Sequence, residues 1–287
     1  MDMVSPNVAE LIKKQLEIPT PPAMLGQVMR ELQNPDANAA RLAKIIGGDQ
    51  GLASHILRIA NSPFYGLSRE VRSIHQAVVI LGFATVQGLV VSLTSRNIYR
   101  QFGPTEQALW EHSLAAGITA HVVAASFRMG CREEAFVAGL MHDVGKVVMN
   151  NEAPDQFRQA LDQLRDEADS VDVEQSVFSY NHADVGALLI KQWHLSEDLE
   201  NVAFLHHDLD LANTIAEASL ELICVTNLAN RICHLLGIGT HRPPESIDLA
   251  DEPAVNELGA EPDRLIALLP EIQQAFEQER AVFGSSG

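Results

Sequence analysis

An all-α fold, a multi-helix bundle with a helical N-terminal part ahead of it, is what this sequence predicts. Three observations carry that reading. Apolar residues recur at helical spacing along most of the chain, no stretch alternates convincingly as a strand, and a proline cluster punctuates the periodic segments near the start. With 287 residues, 46% of them hydrophobic, the chain has enough apolar surface to build a real core.

The elements follow in order. Val8, Leu11 and Ile12 form a first stripe, which ends at IPTPP. There Pro19, Pro21 and Pro22 remove amide donors and push the residues before them out of the helical region, giving a rigid elbow. Leu25, Val28, Met29 and Leu32 make a second stripe, and Leu42, Ile45 and Ile46 a third. Asp49 is placed to cap the helix of Leu52, Ile56 and Ile59, and Ser73 with Gln76 forms a capping box before the apolar run from Ile74. Between these two helices NSPFYGLSREV reads as a loop. The run from Ala77 to Leu93 is interrupted by Gly82, Gln87 and Gly88. It falls short of the roughly 20 residues that span a bilayer, and reads as a buried helix or helix pair.

After a polar break at QFGPTEQ, helical segments resume and continue to Leu236, with an acidic amphipathic piece over Gln156 to Ala168 that reads as a solvated face. GIGTHRPPESIDLADEP is a long loop, Leu265, Ile266, Leu269, Ile272 and Phe276 mark a final helix, and the closing GSSG is an unstructured tail. Without an internal repeat, the simplest partition is an N-terminal part over residues 1–103 and a second part over 104–284.

Several function classes are excluded. The N-terminus lacks a basic start, apolar middle and cleavage site, so the expectation is a cytoplasmic protein with no membrane partner. Cys131, Cys224 and Cys233 are odd in number and lack CxxC spacing, which argues against disulfides and a zinc ribbon and for small buried hydrophobes. A formal net charge of -18 repels phosphate backbones, so no nucleic acid is expected as partner. No nucleophile elbow, Walker loop or dinucleotide fingerprint is present, which leaves covalent catalysis without a seat.

Six residues carry the candidate chemistry: His112 in LWEHS, His142 and Asp143 in GLMHDVGK, His182 in YNHADVG, and His206 and His207 in FLHHD. Neutral imidazoles are borderline metal ligands, and a carboxylate can bridge two ions. Neighbours on a helix diverge by about 100°, so His142 and Asp143 meet on one centre only at a helix end or from opposite sides of an ion pair. Gly145 suits such an end. Taken singly, each histidine is most simply a core or surface residue. As a set they are costly to bury unpaired, which favours convergence on a metal or on one another. His55, His75, His121, His194, His234 and His241 fit no such series. Lys146 reads as a surface lysine, with a substrate phosphate as its alternative partner.

The order His112, His142-Asp143, His182, His206-His207 resembles the HD superfamily of metal-dependent phosphohydrolases, particularly its HD-GYP branch. LEIPTPPAMLGQVM, IIGGDQGLASHILRIANSPFYG and IHQAVVILGF sharpen this to a resemblance to the HDOD family, a bacterial signalling module related to HD-GYP. It covers roughly residues 10–236 and implies an all-α fold with a signalling role. It also implies a metal set of His112, His142, Asp143, His182, His206, His207 and Asn227, holding iron, manganese or zinc as one ion or two. Three departures stand out. Asn227, or else Asn230, stands where HD hydrolases carry a late metal-binding Asp, Ala108 stands where HD-GYP proteins carry a Glu, and no GYP segment follows His207.

Two functions stay open. The first is a regulatory module with a degenerate His/Asp pocket, acting through ligand binding or through a signalling protein in trans: a sensor, a receiver or a cyclic-dinucleotide enzyme. The second is a metal-dependent phosphohydrolase or phosphodiesterase acting on a nucleotide or cyclic dinucleotide. In it Asp143 and Lys146 would serve catalysis around a metal-held hydroxide.

Overall fold

Sixteen α-helices and no strand make up the described residues of a computed structural model, namely 3–62, 65, 69–95, 98–164, 170–239 and 248–284. The expected loop at NSPFYGLSREV, the acidic piece, the long loop after Gly237 and the GSSG tail fall partly outside these residues.

Capping chemistry sets several starts. α1 (Pro6–Gln15) begins with Ser5 accepting from the Val8 amide and Pro6 in the first turn, and stops before the extended Leu16. α2 (Ala23–Leu32) follows the proline elbow. Asn38 caps α3 (Ala39–Ile46) by accepting from the Arg41 amide, and Asp49 caps α4 (Gln50–Ala60) through the Leu52 amide at 2.9 Å. The side chain of Asn61 then ties the two ends of the following loop, accepting from the Val71 amide at 2.7 Å and donating to the Val71 carbonyl at 2.8 Å.

α5 (Ile74–Ser95) is two helices in one run: at Gly82 the backbone turns to φ 85°, a left-handed region open to glycine. Ser73 accepts from the Gln76 amide as a cap, but the Gln76 side chain reaches back to Arg72 rather than to Ser73, so the box closes one residue early. The helix pair expected here is present, though only partly buried. Val86, Leu89, Val90 and Val91 are in the core, whereas Val79 is 64% and Ile80 51% exposed. No single described helix is long and apolar enough to cross a membrane; this pair passes on composition only together, bent by 108°.

The remaining helices are α6 (Pro104–Phe127), α7 (Arg132–Met141), α8 (Val144–Glu152), α9 (Pro154–Gln163), α10 (Ser170–Phe178), α11 (His182–Gln192) and α12 (Glu197–Leu205). After them come α13 (Leu209–Ile215), α14 (Leu220–Leu235), α15 (Pro253–Glu257) and α16 (Pro262–Gly284). A 3-10 turn at Leu249–Asp251 and the start of α15 occupy the end of the segment expected to be a long loop.

The chain parts into two compact units, both discontinuous in sequence. One comprises residues 21–97 and 273–287, where α2, α3 and α4 pack on α5. The other comprises residues 1–20 and 98–272 and is built around α6, which packs on α7 and α14 and is buried along most of its length from Trp110 to Ala124. The N-terminal segment joins this second unit through the Trp193 indole, which donates to the Pro19 carbonyl at 2.8 Å.

Candidate metal centre

Four chain segments of the α6 unit meet at one buried carboxylate. His142 is the C-terminal cap residue of α7 and Asp143 the N-terminal cap residue of α8, so two consecutive side chains leave the backbone at a helix junction and share one centre. His112 comes from the middle of α6, His182 opens α11, and His206 and His207 follow the end of α12. Close approach of α8 to α11 makes the junction possible: a Cβ at Gly145 would run into the carbonyl of His182.

Asp143 is 3% exposed, and its two oxygens face different partners. Oδ1 lies 3.1 Å from His182 Nε2 and 3.6 Å from His206 Nε2. Oδ2 lies 3.6 Å from His112 Nε2, 3.5 Å from His142 Nε2 and 2.8 Å from the Lys146 ammonium. His207 joins the Oδ1 side, its Nε2 3.1 Å from His182 Nε2. Two sets of donor atoms therefore lie within 4.8 Å of one another: Asp143, His182, His206 and His207, and His112, His142 and Asp143.

Ring orientation is fixed from outside. The Nδ1 of His142 donates to the Gly139 carbonyl at 2.6 Å, that of His206 to the Val202 carbonyl at 3.0 Å, and that of His112 to the Ile238 carbonyl at 3.4 Å. His182 Nδ1 donates to the Glu174 carboxylate at 2.6 Å. A carbonyl or carboxylate can only accept, so each of these nitrogens carries the proton and each Nε2 turns towards Asp143. This is the arrangement that metal-ligating histidines adopt. The buried Nε2 of His142 has no hydrogen-bond partner, which is the condition of a donor atom awaiting a cation. The residues fit a divalent ion.

Charge states agree. Burial alone would raise the Asp143 carboxyl, but the facing donors, above all the Lys146 ammonium and the charged His182, hold it well below the usual carboxylate range. Burial keeps His142 and His207 well below the ordinary imidazole value and lowers His206 as well, so these three rings are neutral. His182 goes the other way: burial opposes its charge, yet the Glu174 and Asp143 carboxylates push it up to about 9. Its Nε2 faces Asp143 Oδ1 and His207 Nε2 at 3.1 Å each.

Other sequence candidates separate from these sets. Asn227 donates through its amide to the His206 carbonyl at 2.7 Å and is outside both donor sets, while its Oδ1 is buried without a partner. Ala108 brings no carboxylate to the small cavity that it lines with His112 and Asp143. Lys146, read from sequence as a surface residue, is buried at 6% exposure because its ammonium is needed against Asp143. Of the cysteines, Cys224 and Cys233 are buried as expected and Cys131 is only half-buried.

Two residues were not singled out from sequence. His234 stacks on His112 at 4.9 Å between ring centroids, and Glu174 holds His182. Each had a signal: Glu174 sits at i+4 from Ser170 and i−4 from Phe178, an acid on a buried stripe, and His234 lies on the α14 face of Asn227 and Asn230. That α14 face, with His207 and the Arg231–Glu252 ion pair, bounds a cavity of about 330 Å³ beside the centre.

Comparison with known proteins agrees with this fold. An HDOD domain protein of unknown function from Geobacter sulfurreducens has a similar structure, with 24% identity and a TM-score of 0.75 over 94% of this chain and 96% of that one. A candidate phosphohydrolase from Shewanella amazonensis SB2B has 21% identity and a TM-score of 0.72 over 98% and 99% of the two chains. A candidate signal transduction protein from Marinobacter aquaeolei VT8 has 20% identity and a TM-score of 0.70 over 96% of this chain and 64% of that one. At such identities the likeness is one of fold. An uncharacterised protein of Treponema pallidum (strain Nichols) is 24% identical over 217 residues, 75% of this chain. The chain spans 42% of that relative's length, less than half of it. The model of the HDOD domain matches residues 18–209, well over half of the sequence, and the chain belongs to the HDOD domain family.

Proposed function

We propose that this HDOD chain is a metal-holding regulatory module, which keeps one divalent ion at Asp143, His182, His206 and His207 and works by binding rather than by rapid turnover. The observation that carries it is the outward clamping of the rings: Nδ1 protons of His142, His182 and His206 all go to fixed acceptors, leaving Nε2 atoms aimed at one carboxylate. Three imidazoles and one carboxylate suit zinc or ferrous iron better than magnesium. Bound there, the ion would be a Lewis acid towards an anionic oxygen of a ligand.

Regulation is favoured over hydrolysis by the charge balance of the other half. On the Oδ2 side the Lys146 ammonium already occupies Asp143 at 2.8 Å, and neither Ala108 nor Asn227 supplies a compensating carboxylate. A second divalent ion is therefore opposed, and a two-metal clamp on an in-line displacement is not assembled. The signal would pass to a protein partner in trans.

Elemental analysis of protein purified without chelators tests the reading together with an assay on a phosphodiester such as bis-p-nitrophenyl phosphate. The expected result is close to one zinc or iron per chain and no turnover above that of free metal. Absence of metal would remove the reading. Asp143-dependent turnover would turn it into the phosphohydrolase, for which the cavity beside His207 provides room for a substrate.

A further inference from the structure

We infer that Glu174 is a positioning residue for this centre, holding His182 in the tautomer that presents Nε2 and returning, through the imidazole, negative charge that Ala108 and Asn227 do not supply. The inference rests on the metal reading above and concerns a residue outside both donor sets.

Glu174 is 4% exposed on the inner stripe of α10, between Ser170 and Phe178. A carboxylate there is costly unless its oxygens are satisfied. One oxygen, Oε2, accepts twice from a single residue: from the His182 ring Nδ1 at 2.6 Å and from the His182 backbone amide at 2.7 Å. The same contact thus starts α11 and orients its first side chain. His142, His206 and His112 also donate through Nδ1, but to neutral carbonyls. His182 is the ring whose outer partner is charged, and that makes it the strongest donor of the set. Its Nε2 lies 3.1 Å from both Asp143 Oδ1 and His207 Nε2, and nearer to Oδ1 than the Nε2 of His206 at 3.6 Å, so its orientation sets the geometry of the four-residue site. A centre poor in carboxylates among its ligands in this way gains one just behind them.

The test is zinc affinity of the full chain in chelator-buffered solution at pH 9.5 for the wild type, E174Q and E174A. Gln keeps an oxygen that accepts from both His182 donors but lacks the charge, whereas Ala removes both. Zinc binding should weaken about 10-fold in E174Q and about 100-fold in E174A. At the same pH 9.5, where the charge on His182 contributes least to folding, the melting temperature of metal-free E174Q should stay near that of the wild type, which a merely structural role does not predict. Wild-type zinc affinity in folded E174Q and E174A would overturn the inference, and if E174A does not fold, E174Q decides. The 15N spectrum of the metal-free protein at the same pH separates this from the metal reading. A His182 proton fixed on Nδ1 in the wild type and released to a tautomer mixture in E174A supports the orientation even if no zinc binds, and a proton on Nε2 in both overturns it.

Discussion

His182 holds a proton where an ion would sit, and that sets the pH response of the centre. Its value of about 9 means that metal must displace a proton at any lower pH, at a cost of about tenfold in affinity per pH unit. Zinc affinity at pH 7 should accordingly be about 50-fold below that at pH 9, where the group is half protonated, which chelator competition across this range would measure. The sign for folding follows from the same shift. Since the folded value lies above the unfolded one near 6.5, His182 stabilises the metal-free protein fully below pH 6.5, and that contribution is lost as pH rises through 9. His142, His206 and His207 act oppositely, their lowered values weakening the fold as pH falls below 6.5. Denaturation midpoints should thus decline on both sides of a maximum. Asp143→Ala would strand the buried Lys146 and His182 charges, lowering unfolding free energy by about 3–5 kcal/mol in urea titrations, besides abolishing metal binding. Lys146→Met removes the ammonium that opposes a second ion, and elemental analysis should then rise from one metal per chain towards two.

At the scale of elements, the centre depends on how closely α8 approaches α11. Gly145→Ala puts a methyl against the His182 carbonyl, which must part the two helices; a loss of about 3 kcal/mol and weaker zinc binding are expected from denaturation and titration. This scale was also the most readable. Caps such as Asp49 and the break at Gly82 are local chemistry, written within a few residues of where they act. The pairing of His142 with Asp143 was readable for a similar reason, since adjacent side chains share a site only where a helix ends. Glu174 was not readable in that way. Its meaning comes from His182, eight residues on and in another helix, and α10 shows it only as one acid in a polar stretch. Lys146 was misread because a lysine declares its burial only through its partner. The outward face of α5 at Val79 and Ile80 has the same cause: apolar composition says that a residue prefers cover, and the packing of neighbouring helices decides whether it finds any.

For the molecule as a whole, the all-α class follows from periodicity that every segment repeats, whereas the grouping of segments does not. Residues 1–20 lie with residues 98–272 because of contacts such as Trp193 to Pro19, which no local pattern encodes. A chain starting at residue 21 should lose this anchor, and a fall of several degrees in melting temperature with altered Trp193 fluorescence would register it. Metal should act on the molecule in the opposite direction: at free zinc 100 times the dissociation constant, stability rises by about 2.7 kcal/mol.

The convergence of α6, the α7–α8 junction, α11 and α12 on Asp143 has a mechanical consequence. An ion held there is a clasp joining stretches of chain that lie far apart along the backbone, from Asp143 to His207. Pulled from its two termini, the metal-loaded chain should hold a contour of about 60 residues in reserve behind the clasp and release it in one late step, whereas the metal-free chain should pay out the same length at lower force.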